Sequence, residues 1–208
     1  MRQYRTLTKT TKVPMRLEAY ESSFIVFRKD TDKAVSEGCN YPEKSVLATI
    51  DTPWTVAFQE KRGGPEAPVT FDTLYDWTTS DDPRIKYFSG DATYTNSFKL
   101  KKLPQGEVYV DLGKVMVMAK VKVNGEYAGG VWTAPYRLNI TNLLRKGVNT
   151  IEVEVVNCWR NRVIGEKEAI PANERFTFQT ATYLNKDSEL QPSGLLGPIE
   201  LQIYDYGK

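Results

Sequence analysis

The sequence predicts an all-β chain folded as an antiparallel sandwich or barrel, and three observations carry that reading. Short runs of strand-forming residues follow one another along most of its length. Glycine, proline and asparagine turn signals separate them. Helical periodicity is almost absent, with one short candidate turn at Thr141–Leu144.

Taken in order, residues 1–16 carry Arg2, Arg5, Lys9, Lys12 and Arg16 among threonines with no acidic residue, which reads as an exposed arm or a strand without its partners. A short apolar run, Phe24–Phe27, precedes a polar interval through Gly38, Asn40 and Pro42. That interval is the best candidate boundary, dividing an arm of residues 1–45, the remnant of a preceding module, from a domain of residues 46–208. Strands are expected at 46–50 and at 54–58, where Trp54, Val56 and Phe58 share one face, and at 72–77 behind Gly63-Gly64-Pro65 and Pro68. Another is expected at 108–112. The clearest is 115–123, where Val115, Val117, Ala119, Val121 and Val123 alternate with methionines and lysines. Asn124-Gly125 tolerates positive φ at both turn positions and predicts a type I′ hairpin returning through 126–131. Further strands are expected at 136–141, 149–156, 176–183 and 199–204. Thr141 is placed to cap the single helical turn, and Gly147 to end the connection.

Composition excludes more than it assigns. With 208 residues, the chain can bury about 70% of its unfolded surface and needs no staples. Lys plus Arg number 28 against 26 Asp plus Glu, a net charge of +2 that provides no field for tracking phosphates, so nucleic acid is not an expected partner. The absence of histidine removes Ser-His-Asp and Cys-His mechanisms and His-ligated metals, leaving carboxylates for any hydrolysis. Cys39 and Cys158 are two thiols far apart in sequence, open either to bridging or to separate burial. No apolar run is long enough to span a bilayer, so no membrane partner is expected, and the N-terminus lacks the apolar segment of an export signal.

Two groups of motifs are specific. The first is Leu74-Tyr75-Asp76-Trp77 followed by Tyr87-Phe88-Ser89-Gly90-Asp91-Ala92-Thr93-Tyr94. The second runs through Val110-Asp111-Leu112-Gly113, Val123-Asn124-Gly125, Pro135-Tyr136-Arg137, Gly147-Val148-Asn149 and Asn157-Cys158-Trp159-Arg160-Asn161-Arg162-Val163-Ile164-Gly165, and closes at Ser193-Gly194-Leu195-Leu196-Gly197-Pro198. Over about residues 46–208 the chain resembles the sugar-binding jelly roll of family 2 glycoside hydrolases. It is more similar still to the C-terminal galactose-binding-like β-sandwich of bacterial family 106 α-L-rhamnosidases. Asp91 and Val163 depart from the more usual threonine and leucine of that pattern.

The resemblance implies a jelly-roll sandwich serving as a non-catalytic accessory domain that binds carbohydrate or supports its catalytic module. In those enzymes the catalytic carboxylates sit on a longer N-terminal barrel with no counterpart here. It also implies a plant-type oligosaccharide and the catalytic module of the same parent chain as partners, and a periplasmic or extracellular setting; the chain itself carries no address. No cofactor is expected, apart from a structural calcium of the kind such domains often hold, for which the spacing names no ligands. Two other readings stand beside it: a purely structural buttress between domains, and a stand-alone glycosidase, for which no carboxylate pair stands out.

A sugar needs an exposed aromatic platform beside planar polar groups. Trp132 with Tyr136 and Arg137, and Trp159 with Asn161 and Arg162, have that company and are the candidate carbohydrate-binding residues. The competing reading for the tryptophans is core packing, and for Arg137 and Arg162 a buried ion pair. No residue is a catalytic candidate.

Overall fold

The computed structural model describes residues 2–28, 33–178 and 183–206. Two antiparallel sheets face each other across one core. The larger runs in the order β11 (Glu126–Val131), β10 (Met118–Val123), β13 (Gly147–Val156), β7 (Asp91–Leu100), β5 (Trp54–Phe58) and β6 (Val69–Phe71). The smaller runs β12 (Arg137–Asn139), β8 (Glu107–Asp111), β15 (Glu200–Tyr204) and β4 (Lys44–Thr49). A ribbon pairs β14 (Gly194–Gly197) with β9 (Lys114–Met116), and a small N-terminal sheet orders β2 (Thr11–Lys12), β1 (Gln3–Thr6) and β3 (Val35–Glu37). The predicted antiparallel sandwich is the fold observed.

Alternation builds the core. Trp54, Val56 and Phe58 of β5, Ala119, Val121 and Val123 of β10, and Ile151, Val153 and Val155 of β13 point inward to meet Val108, Val110 and Leu201 from the smaller sheet. Each fully buried side chain of this size contributes roughly 1.5–3 kcal/mol. An aromatic cluster thickens one part of it: Phe58 lies 4.9 Å from Phe88 and 5.3 Å from Trp77 between ring centroids. The buried indole of Trp77 donates to the Tyr94 hydroxyl at 2.6 Å, so its polar atom is satisfied away from water. The hairpin is as expected, with Asn124 and Gly125 both at positive φ, 54° and 83°.

Four expectations are corrected. Residues 72–77 are not a strand: pairing ends at Phe71, and the Asp76 carboxylate instead caps a 3₁₀ turn at Trp77–Thr79 by accepting from the Thr78 N–H. The run 115–123 is two strands rather than one, because β9 pairs with β14 while β10 joins the larger sheet; Val117, between them, is exposed. Thr141 does not cap its turn by side chain; its hydroxyl accepts from the Val108 N–H at 2.8 Å and ties that turn to β8. The expected strand at 176–183 is absent over 176–178, and residues 179–182 lie outside the described residues.

Neither α-helix was anticipated. α2 (Arg160–Glu168), which follows a shorter α1 (Pro83–Lys86), buries Asn161, Arg162, Ile164, Gly165 and Glu166. Its inward face is largely polar, so no apolar stripe announces it. Gly165 is required by close approach: a Cβ there would stand 2.4 Å from the Tyr87 ring.

Candidate functional site

The alternation that buries Val108 and Val110 turns Glu107, Tyr109 and Asp111 to the outer face of the four-stranded sheet. Register carries that face across the neighbouring strands. Tyr109 stands opposite Asn139 and Gln202, Asp111 opposite Arg137 and Glu200, and Glu107 opposite Tyr204. The result is a polar, aromatic surface whose groups bond to one another. Tyr109 donates to Glu107 at 3.2 Å, and the Gln202 amide donates to Glu200 at 2.9 Å. The Tyr109 and Tyr204 rings lie 4.8 Å apart at 59°.

The segment before β4 covers part of this face and forms a groove of about 460 Å³ lined by Arg137, Tyr109, Tyr204, Tyr206, Glu18 and Glu21 among others. Arg137 is its anchor. Its Nη1 donates to Glu18 at 2.8 Å and to the Tyr204 hydroxyl at 3.3 Å, and its Nη2 lies 3.5 Å from Glu21. The hydrogen bond from Arg137 holds the Glu18 carboxyl below the usual carboxylate range. Burial raises the Tyr109 and Tyr204 phenols, and Tyr206 is pushed up to about 12, first by burial. Chemically the groove presents carboxylates paired with a fixed guanidinium, beside phenols. A glycosidic acid needs a carboxyl with raised pKa, and Glu18 is shifted the opposite way.

The structure does not gather the six expected residues into one site. Val131 and Val155 both pair with Ala119, so the loops bearing Trp132 and Trp159 leave the same end of the larger sheet. Arg137 belongs to the outer face of the other sheet, and the half-buried Tyr136 uses its carbonyl to accept from the Leu112 N–H at 2.8 Å. Trp132 is 73% exposed and Trp159 45% exposed. Trp159 meets Phe176 edge-on at 5.9 Å, with the Arg62 guanidinium 4.8 Å over its ring.

Asn161 and Arg162 are 1% and 3% exposed, and Arg162 takes the buried ion pair that was its alternative reading. α2 turns them inward. The Asn161 amide donates to the Gln191 carbonyl and to Ser193 Oγ, and Arg162 pairs with Glu166, so neither reaches solvent to meet a ligand. The motifs converge around them. Ser89 donates to the Cys158 carbonyl at 2.9 Å, the Gly90 N–H donates to Asn157, and Asn157 donates in turn to the Phe88 carbonyl and Ser193. These segments, the most recognisable in the sequence, form a structural junction.

Tyr109, Tyr204, Gln202 and Glu107 were not among the expected residues. Their signal was present: the outward positions of 107–112 and 199–204 are polar or aromatic while the inward ones are aliphatic. Cys39 and Cys158 are both free and exposed, neither bridged nor buried. Among the described residues no group of three or more Asp, Glu, Cys or His side chains is placed to hold a metal ion.

Comparison with known proteins places these features in a family. A candidate beta-glucuronidase of Formosa agariphila is 37% identical over 160 residues, 65% of this chain and 14% of that protein. A rhamnosidase from Novosphingobium sp. PP1Y superposes on 96% of this chain with a TM-score of 0.88 and 38% identity, using 19% of its own length. The chain thus spans less than a fifth of either relative. Residues 72–188, more than half of the chain, match the family described as glycosyl hydrolase 2 galactose-binding domain-like, and the chain belongs to that family.

Proposed function

We propose that this chain is a non-catalytic accessory domain of a larger glycoside hydrolase, of the kind found in family 106 α-L-rhamnosidases, and that it binds carbohydrate in support of the catalytic module. The observation that carries this reading is the extent of the likeness to the rhamnosidase: nearly all of this chain corresponds to a minor part of that enzyme. Its partners are a plant-type oligosaccharide and the catalytic module of the same parent chain, in a periplasmic or extracellular setting. The test is an assay of the 208-residue chain with an aryl α-L-rhamnoside. No release of the aryl group is expected, and turnover above an inactive-protein control would overturn the reading.

A second reading, a structural buttress without glycan affinity, draws on a specific observation. Phe24 and Phe27 are 93% and 75% exposed, with Ile25 and Val26 also open between them. Four consecutive apolar side chains facing water on an irregular segment mark a surface suited to burial against a neighbouring module. The buttress reading expects Phe24→Ser with Phe27→Ser to leave the sandwich's melting temperature unchanged, because these side chains are exposed and outside its core. It fails if a glycan binds the folded chain.

A further inference from the structure

We infer that the groove on the outer face of the four-stranded sheet is a binding site for a neutral pyranoside, floored by Tyr109 and Tyr204 and hydrogen-bonded by Arg137, Glu18 and Glu21, with Tyr206, whose ring carries the Arg2 guanidinium at 3.8 Å, at its margin. This rests on the carbohydrate-associated reading above, and adds which surface binds and what chemistry it accepts.

The size is right. At about 460 Å³ the groove falls in the range of roughly 300–1,000 Å³ typical of small-molecule sites. Its chemistry matches a sugar's two surfaces. Phenol rings suit the apolar C–H face of a pyranose, and the two tilted rings of Tyr109 and Tyr204 make an angled floor rather than a flat one. Adjacent hydroxyls need a donor and an acceptor side by side. Arg137 beside Glu18 and Glu21 supplies both, with carboxylate lone pairs left over after each ion pair. Preorganisation is also present, because Tyr204 and Glu18 hold the guanidinium before any ligand arrives.

Charge selects against an acidic sugar. Arg16, Lys44 and Arg137 line the groove with Glu18, Glu21 and Glu43, so cations and anions balance. A uronate carboxylate would have to displace a carboxylate from Arg137 and would face the other at close range. A neutral ligand inserts between the existing charges without that cost.

Trp159 is the weaker platform, because it already has Phe176 against its edge and Arg62 over its face. The two surfaces are separable by mutation.

The experiment is calorimetry and saturation-transfer NMR on the 208-residue chain with methyl rhamno-, galacto- and glucopyranosides and with sodium glucuronate. At least one neutral pyranoside should bind saturably, and glucuronate about tenfold more weakly or not at all. Tyr204→Phe keeps the ring and removes the hydroxyl that accepts from Arg137; it should weaken binding about fivefold, the loss of one hydrogen bond. Tyr109→Ala should weaken it about tenfold or more, and Trp159→Ala should leave it unchanged. Folding of each variant is checked by circular dichroism, and Tyr204→Phe carries the test if Tyr109→Ala does not fold.

Binding that survives both tyrosine substitutions and is lost in Trp159→Ala overturns the groove while leaving the accessory reading standing. Preference for glucuronate overturns the charge argument, and absence of binding to every probe by the folded chain overturns the inference outright. The non-catalytic part of the accessory reading fails separately, on turnover of an aryl rhamnoside.

Discussion

The Arg162 guanidinium donates through Nε to the Glu166 carboxylate at 3.0 Å, one helical turn away, with only 3% and 5% of the two side chains exposed. Neither charge is left with a single partner. Arg162 Nη2 donates to the Glu174 carbonyl at 2.6 Å. Glu166 accepts from the Phe176 and Thr177 N–H groups and from the Thr177 hydroxyl. The pair therefore fastens residues 174–177 to α2, and with them Phe176, whose ring lies 4.1 Å from the Arg162 guanidinium.

Breaking this pair strands a buried charge. Arg162→Met is expected to destabilise the fold by about 3–5 kcal/mol, and adding Glu166→Leu should recover a substantial part of the loss. Urea unfolding of the single and double variants measures both. A double variant no more stable than the single one would mean that the hydrogen bonds to the 174–177 loop, rather than the stranded charge, account for the cost.

The same carboxylate makes stability depend on pH. Burial pulls the Glu166 pKa up, but hydrogen bonds from Thr177, the Phe176 N–H and Arg162 prevail, leaving it below its usual 4.5. A depressed folded pKa contributes stability that is present above the unfolded value and is lost as pH falls through the folded one. Wild type should thus exceed Glu166→Gln most at pH 7, with the gap narrowing below about pH 4. Thermal melts of both proteins from pH 7 to pH 3 give the comparison, and a constant gap would contradict it.

Asn124 combines two tasks at the hairpin. Its φ of 54° suits few residues other than glycine and asparagine. Its side chain donates to the Leu143 carbonyl at 2.7 Å and to Asn149 at 2.9 Å, and accepts from the Thr150 N–H at 3.0 Å. Asn124→Ala loses the conformational fit and the bonds together and should cost roughly 2–4 kcal/mol. Asn124→Gly keeps the backbone fit and should cost less. Denaturant midpoints rank the two, and the reverse order would refute the turn argument.

Arg137 joins the sandwich to the segment before it through Glu18 and Glu21, two carboxylates that remain partly exposed. Its removal should free that segment while barely affecting the core, since an ion pair of this exposure contributes at most about 1 kcal/mol. Limited proteolysis of Arg137→Ala should cut between residues 14 and 28 faster than in wild type, with the unfolding midpoint of the sandwich little changed. Equal cleavage rates would mean that the segment is held elsewhere, for example where Asn40 accepts from the Arg2 and Gln3 N–H groups.

The sequence by itself determined the sandwich, most of its strands and the Asn124-Gly125 hairpin, because period-2 burial and turn chemistry are local and repeat along the chain. β5 and β11 begin and end where alternation and turn signals place them. Locality also set the limit. The break between β9 and β10 reflects a change of partner from β14 to β13, which no pattern within 115–123 encodes. α2 was invisible because its buried face is held by Asn161, Arg162 and Glu166 rather than by an apolar stripe, and their partners lie at Gln191, Ser193 and residues 174–177. The groove belongs to tertiary structure as well. Glu18 and Arg137 are 119 positions apart, Tyr109 and Tyr204 nearly as far, and only sheet register and the path of the preceding segment bring them to one surface. Alternation is written residue by residue, whereas a binding surface is written in which strand lies beside which.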